Sequence, residues 1–203
     1  MTITKPAESV EAALPEAPVR IAAVQTVSGP DVDANLKAVD ALIAEAEAEG
    51  ACLVALPEYF PLISSDEMAK VRIREAEGEG PLQSFLADAA RRHGIWLVGG
   101  TVPLQAEVQN KVRNSTLVFD AQGRLAARYD KIHLFGFQRA EERYDEAATI
   151  EPGSTPCCFD SPAGRTGLSV CYDLRFPELF RAMGELDLIV LPAAFRSEER
   201  RVG

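Results

Sequence analysis

The sequence predicts an α/β domain built on a sheet, and three observations point there. Short apolar runs alternate with amphipathic stretches of helical period, no internal repeat is present, and one hairpin of strand-like residues interrupts the alternation. Val19 to Thr26 is a mostly apolar run closed by Ser28-Gly29-Pro30, which suits a buried strand. Asp31 or Asp33 caps the next helix, where Leu36, Val39, Leu42, Ile43 and Ala46 form one apolar stripe ending at Gly50. Ala51 to Leu56 is the second strand and runs into Pro57-Glu58. Pro81 to His93 is a second helix, with proline in its first turn, Leu82, Phe85, Leu86 and Ala89 on one side, and Gly94 after it. Ile95 to Thr101 follows as a strand containing Trp96, read as a core residue. Asn114 to Phe119 and Leu125 to Tyr129 flank a glycine-containing turn and form the hairpin, which delivers Lys131. Thr166 to Val170 is a strand, Phe176 to Met183 a short helix, and Asp187 to Leu191 a last strand.

Composition narrows the function. The 203 residues suit one domain, and 47% hydrophobic with 26% charged residues excludes disordered and low-complexity classes. Lys and Arg total 21 against 31 Asp and Glu, a net charge of −10 with no basic stripe, which argues against nucleic acid and anionic membranes as partners. Residues 1–18 contain Pro6, Pro15 and Pro18, have no sustained period, and lack the basic start and apolar stretch of a secretion signal, so they read as a mobile leader. The longest apolar run, Leu188 to Phe195, is far short of the roughly 20 residues of a membrane span, and a soluble cytoplasmic protein is expected. Cys52, Cys157, Cys158 and Cys171 are then expected as reduced thiols. They form no C-x-x-C pair and His93 and His133 stand apart, so no metal is expected; Gly99-Gly100 lacks a nucleotide-binding pattern, so no cofactor is expected. Cys157-Cys158, between Pro156 and Phe159, reads as a packed turn.

Glu58, Lys131 and Cys171 each stand at or just beyond a strand end, where α/β sheets place sites. Each alone has an ordinary reading, a solvated loop residue for Glu58 and Lys131 and buried filler for Cys171. Together they suffice for acyl transfer. A carboxylate can take the thiol proton, and an ammonium favours both the thiolate and a developing oxyanion. His133 lies near Lys131, which leaves open a Cys–His pair and equally a packed strand histidine.

Three segments in order, Leu56-Pro-Glu58-Tyr59, Tyr129-Asp-Lys131-Ile-His-Leu134, and Gly167-Leu-Ser-Val-Cys171-Tyr-Asp-Leu-Arg175-Phe-Pro-Glu178, resemble the motifs of the nitrilase superfamily of carbon-nitrogen hydrolases. The resemblance covers Val19 to Phe195 and is nearest to the omega-amidase and deaminated glutathione amidase branch. It implies an α-β-β-α sandwich, incomplete at its C-terminus, over residues 19–195. It makes Cys171 the nucleophile, Glu58 the general base, Lys131 the oxyanion cation and the Tyr172 N–H a second oxyanion donor. It aligns a further glutamate with Glu146, although Glu141, Glu142 and Glu151 lie close by. Arg175 either holds a substrate carboxylate or pairs with Asp173 or Glu178. The implied activity is cofactor-free hydrolysis of a small linear amide through a Cys thioester, releasing ammonia and a carboxylate, in a homodimeric or larger homo-oligomeric enzyme. Nitrile hydrolysis, N-carbamoyl amide hydrolysis and a catalytically silent scaffold of the same fold are the alternatives. Relatives continue beyond Phe195, whereas Arg196 to Gly203 reads as a non-native tail resembling a translated sequencing adapter. A chain ending so is expected to expose a sheet edge, express poorly and turn over little amide.

Overall fold

The structure is a computed structural model and describes residues 18–139 and 142–194. The expected leader, apart from its last residue, and the expected tail at 196–203 lie outside these residues, as do Glu141 and Phe195.

Strands β1 (Ile21–Ala23), β2 (Leu53–Ala55) and β3 (Trp96–Val98) pair in parallel. β5 (Val112–Phe119) runs antiparallel to β3 and is flanked by β4 (Val102–Gln105) and β6 (Leu125–Asp130), completing a six-stranded sheet. Helix α1 (Val32–Ala48) is capped by Asp31, whose side chain accepts the Ala34 N–H at 3.0 Å. A single turn, α2 (Ala69–Arg72), precedes α3 (Pro81–His93). The first turn of α3 is satisfied from a distance: Glu75, itself buried, accepts the Leu82 N–H at 2.6 Å and the Gln83 N–H at 3.1 Å.

A hairpin of β7 (Gly136–Arg139) and β8 (Glu142–Asp145) leads into a 3₁₀ turn at Glu146–Ala148. A second sheet then orders β11 (Leu188–Val190), β10 (Gly164–Leu168) and β9 (Cys157–Ser161), with α4 (Pro177–Ala182) between β10 and β11 in the chain.

Strand alternation sorts the side chains into layers. Val54, Leu97, Leu117 and Phe119 pack with Val39 and Ile43 of α1 and with Leu82, Leu86 and Ala89 of α3. From the same strands Leu53, Val98 and Val118 face the opposite way, into a second core with Tyr129, Leu168, Val170 and Val190. Phe159 of β9 stacks on Trp96 across that core with ring centroids 6.0 Å apart. On the far side of β10, a Cβ on Gly167 would meet Leu186 Cδ1 at 2.6 Å and Met183 Sδ at 2.9 Å, so glycine lets α4 and its following turn lie close on the strand. The result is the expected α-β-β-α layering. Burying each large apolar side chain in these cores contributes about 1.5–3 kcal/mol.

Several expectations need correction. The strand expected over 19–26 is only β1, three residues long, and the one expected over 95–101 stops at Val98, where Gly99 and Gly100 turn the chain into β4. β4 contains Pro103 and is tolerated because it lies at the sheet edge. Cys157 and Cys158 do not form a packed turn; they open β9 and pair with Leu168 and Gly167. Trp96, partly exposed, packs against the second core as expected. All four cysteines are free.

Candidate active site

The parallel strand β2 ends at Ala55, and Leu56 continues its ladder by donating to the Val98 carbonyl at 2.9 Å. Pro57 and Glu58 then pass under the β3–β4 turn. A Cβ on Gly100, at φ +51°, would fall 2.1 Å from the Pro57 carbonyl oxygen, so only glycine admits this approach. Tyr59 follows in left-handed backbone at φ 55° and donates its N–H to Thr101 Oγ1 at 2.9 Å. Glu58 is thereby turned inward, 2% exposed.

Lys131 leaves the end of β6, with its N–H on the Asn114 carbonyl at 3.0 Å, and is 1% exposed. Its Nζ lies 3.0 Å from Glu58 Oε1 and 2.8 Å from Glu146 Oε2. Glu146 opens the 3₁₀ turn after β8; its N–H donates to the Phe135 carbonyl at 3.0 Å, and its Oε2 accepts the Phe135 N–H at 2.8 Å. Tyr59 donates its hydroxyl to Glu146 Oε1 at 2.9 Å, and Asn114 Nδ2 donates to Glu58 Oε1 at 2.9 Å. Two carboxylates thus share one ammonium, with every remaining contact a neutral donor.

Cys171 follows β10 at the head of a 3₁₀ turn, Cys171–Arg175, with φ 47°. Its N–H donates to the Pro192 carbonyl at 2.9 Å, its thiol faces the Glu58 carboxylate, and its side chain is half-buried. Ala194 donates its N–H to the other Glu58 oxygen at 3.0 Å. Glu58, Lys131, Glu146 and Cys171, which come from four separate segments, therefore meet in one place, and Tyr172 occupies the first turn after Cys171.

Burial raises the Glu58 pKa; the Lys131 ammonium opposes this and the Glu146 carboxylate adds to it, leaving it above its ordinary value. Burial would lower Lys131, but Glu58 and Glu146 outweigh that and hold its ammonium above the usual lysine range. Burial first, then the Glu58 charge, pushes Cys171 up to about 12, and Lys131 only partly offsets them. Burial and the neighbouring carboxylate thus favour the neutral thiol at Cys171.

His133 is no strand residue: it lies beyond β6, stacks on Phe176 at 3.7 Å between centroids, and bonds Asp173 Oδ1 through Nδ1 at 2.7 Å. The carboxylate beside Cys171 is that of Glu58. Arg175 is exposed, and neither proposed partner engages it: Asp173 is turned into the core toward Tyr129 and His133, and Glu178 faces Arg181 at 3.9 Å. Glu151 pairs with Arg113, outside the cluster. Asn114, the Tyr59 hydroxyl and Thr101 escaped the sequence reading. Tyr59 stood in a quoted motif with no role, and Asn114 had only its place at the start of the expected hairpin.

A half-buried cysteine thus lies against a buried Glu–Lys–Glu cluster, at the strand ends of a four-layer α/β sandwich. The profile of the carbon-nitrogen hydrolase family matches residues 20–199, and the chain belongs to that family, within the nitrilase superfamily. It is 38% identical over 180 residues to a deaminated glutathione amidase of Yersinia enterocolitica, covering 86% of this chain and 62% of that protein. It is 35% identical over 180 residues to omega-amidase NIT2 of Homo sapiens, covering 87% and 63%. The chain thus spans a little under two thirds of the length of these curated relatives. Among solved structures, Saccharomyces cerevisiae Nit3 superposes with a TM-score of 0.72 at 30% identity, over 86% of this chain and 64% of that one. An amidase from Nesterenkonia sp. does so at 0.75 and 28%, over 91% and 68%. A variant of the Nesterenkonia amidase carries acrylamide added at its active-site cysteine. Among the described residues, no helix is long and apolar enough to cross a membrane.

Proposed function

We propose that this protein hydrolyses the carbon–nitrogen bond of a small linear amide through a thioester on Cys171. The observation that carries the reading is that one buried carboxylate, Glu58, faces the Cys171 thiol and pairs with the Lys131 ammonium, whose Nζ lies 3.0 Å from its Oε1. Glu58 accepts the thiol proton as sulfur attacks the amide carbon, which avoids a free thiolate beside two carboxylates. Negative charge gathers on the carbonyl oxygen, facing Lys131 and the Tyr172 N–H. The proton held by Glu58 passes to nitrogen, the C–N bond breaks and ammonia leaves. Water then gives a proton to Glu58 and attacks the thioester, and sulfur departs with that proton as the carboxylate product forms.

Glu146 acts on Lys131. When Glu58 is protonated, Glu146 still pairs the ammonium and keeps it charged and aimed. Arg175, exposed four residues after the nucleophile, is suited to the far carboxylate of a dicarboxylic monoamide, which accords with the amidase names of the relatives. We extend the proposal to a single catalytic unit over residues 19–195, in a cytoplasmic homo-oligomer; four free thiols suit a reducing compartment.

The test is ammonia release from amide, nitrile and ureido substrates in parallel. The proposal expects amide turnover to dominate and to vanish in Cys171→Ala and in Glu58→Gln. Activity retained in either folded variant would sink it, and a nitrile or ureido preference would replace the substrate class while keeping the chemistry.

A further inference from the structure

We propose that Asp173 is a positioning residue that fixes the nucleophile turn against the lysine segment. The proposal rests on the catalytic reading of Cys171 and Lys131 above. Asp173 is 0% exposed and accepts four donors. Its Oδ2 takes the Tyr129 hydroxyl at 2.7 Å and the Val170 N–H at 2.9 Å. Its Oδ1 takes the His133 N–H at 3.0 Å and His133 Nδ1 at 2.7 Å.

These donors are not scattered. Tyr129 and His133 stand two residues before and two after Lys131, and Val170 immediately precedes Cys171. One carboxylate therefore bridges the six-stranded sheet, which carries the cation, and the three-stranded sheet, which carries the nucleophile. The bridge is clamped on its open side, where the His133 ring lies parallel to Phe176 at an interplanar angle of 6°, and Phe176 donates its N–H to the Asp173 carbonyl at 3.0 Å. Cys171 needs such a hold. A non-glycine residue at φ 47° is strained and persists only where its surroundings over-determine it, and Asp173 accepts the N–H just before it.

Asp173→Asn tests this, because an amide retains the size but presents an NH₂ to two of the four donors. With the turn released, the thiol leaves Glu58 and its buried position, so its ionisation falls toward that of an ordinary cysteine. Iodoacetamide labelling, resolved by peptide mass spectrometry, reads this without needing turnover. Cys171 in the variant should label at least about tenfold faster near pH 8 than in the parent protein, with Cys52 unchanged as the internal control. Where amide turnover is measured, kcat should fall about 10²-fold with KM nearly constant, the signature of a misplaced reacting group. Should Asp173→Asn unfold, Cys52 and Cys171 would label alike. Tyr129→Phe, which deletes one donor and keeps the ring, then carries the test and should give the same change at about threefold. A folded variant whose Cys171 labels at the parent rate and pH dependence would overturn the proposal. Altered labelling in a protein that hydrolyses no amide would uphold the positioning role and overturn the proposed function alone.

Discussion

Glu58, Lys131 and Glu146, on the six-stranded side of the site, are almost wholly withdrawn from water, whereas Cys171, on the three-stranded side, is half-buried in left-handed backbone. The two sides face different physical demands. Withdrawing an ion from water costs several kcal/mol, so a buried charge persists only when opposite charge and neutral donors satisfy it from all sides. The cluster meets this with Lys131, Asn114, the Tyr59 hydroxyl and the N–H groups of Phe135 and Ala194. Cys171 is instead left partly open, in backbone that carries about 1–3 kcal/mol of strain, as the proposed nucleophile requires. One side is therefore sensitive to loss of charge balance and the other to loss of anchoring.

The largest expected effect strikes where the two sides touch. Cys171→Ala should remove amide turnover altogether while leaving circular dichroism and thermal unfolding close to the parent, because the thiol supports little of the core. Turnover persisting in that variant would separate the cysteine from the chemistry.

Lys131→Met comes next and acts on stability as well as rate. It leaves Glu58 and Glu146 buried without their shared cation, and urea unfolding should show a loss of about 3–5 kcal/mol. A change below about 1 kcal/mol would mean that the cluster is hydrated or protonated rather than ion-paired. The same pairing predicts a pH dependence. The Lys131 pKa is higher folded than unfolded, so its stabilisation is complete below the ordinary lysine value of 10.5 and fades only as pH rises through the raised folded value.

The acid limb of the rate profile gives a third test. As the proposed base, Glu58 works only when ionised, and its pKa lies above the ordinary 4.5, so kcat/KM should fall with decreasing pH and begin to do so above the usual carboxylate range. An acid limb at or below 4.5 would contradict the burial argument. Smallest of all should be Arg181→Ala, which breaks an exposed pair with Glu178 at 3.9 Å; it should alter stability by less than about 0.5 kcal/mol and leave turnover unchanged.

The same division explains what the sequence could and could not disclose. Helix α3 starts and stops where proline and glycine say, because those signals are local. The strand ends carrying Glu58, Lys131 and Cys171 were legible for a similar reason, as polar residues that follow apolar runs. Asn114 was not, since its partner Glu58 lies 56 residues away, nor was Asp173, 44 residues from Tyr129. A buried polar residue is recognisable only once its partners are known. Strand β4 was hidden by Pro103, harmless at a sheet edge that the sequence cannot identify. The ionisation of Cys171 was not legible either. Lysine and glutamate push a thiol in opposite directions, and the outcome depends on burial, which appears only in three dimensions.

The most direct test of the account is to quench the protein in acid during turnover of a dicarboxylic monoamide and weigh the peptide that carries Cys171. This peptide should gain the mass of the acyl group, the adduct should be absent from Cys171→Ala, and Glu58→Gln should fail to form it. Steady ammonia release with no acyl group on Cys171 would contradict it.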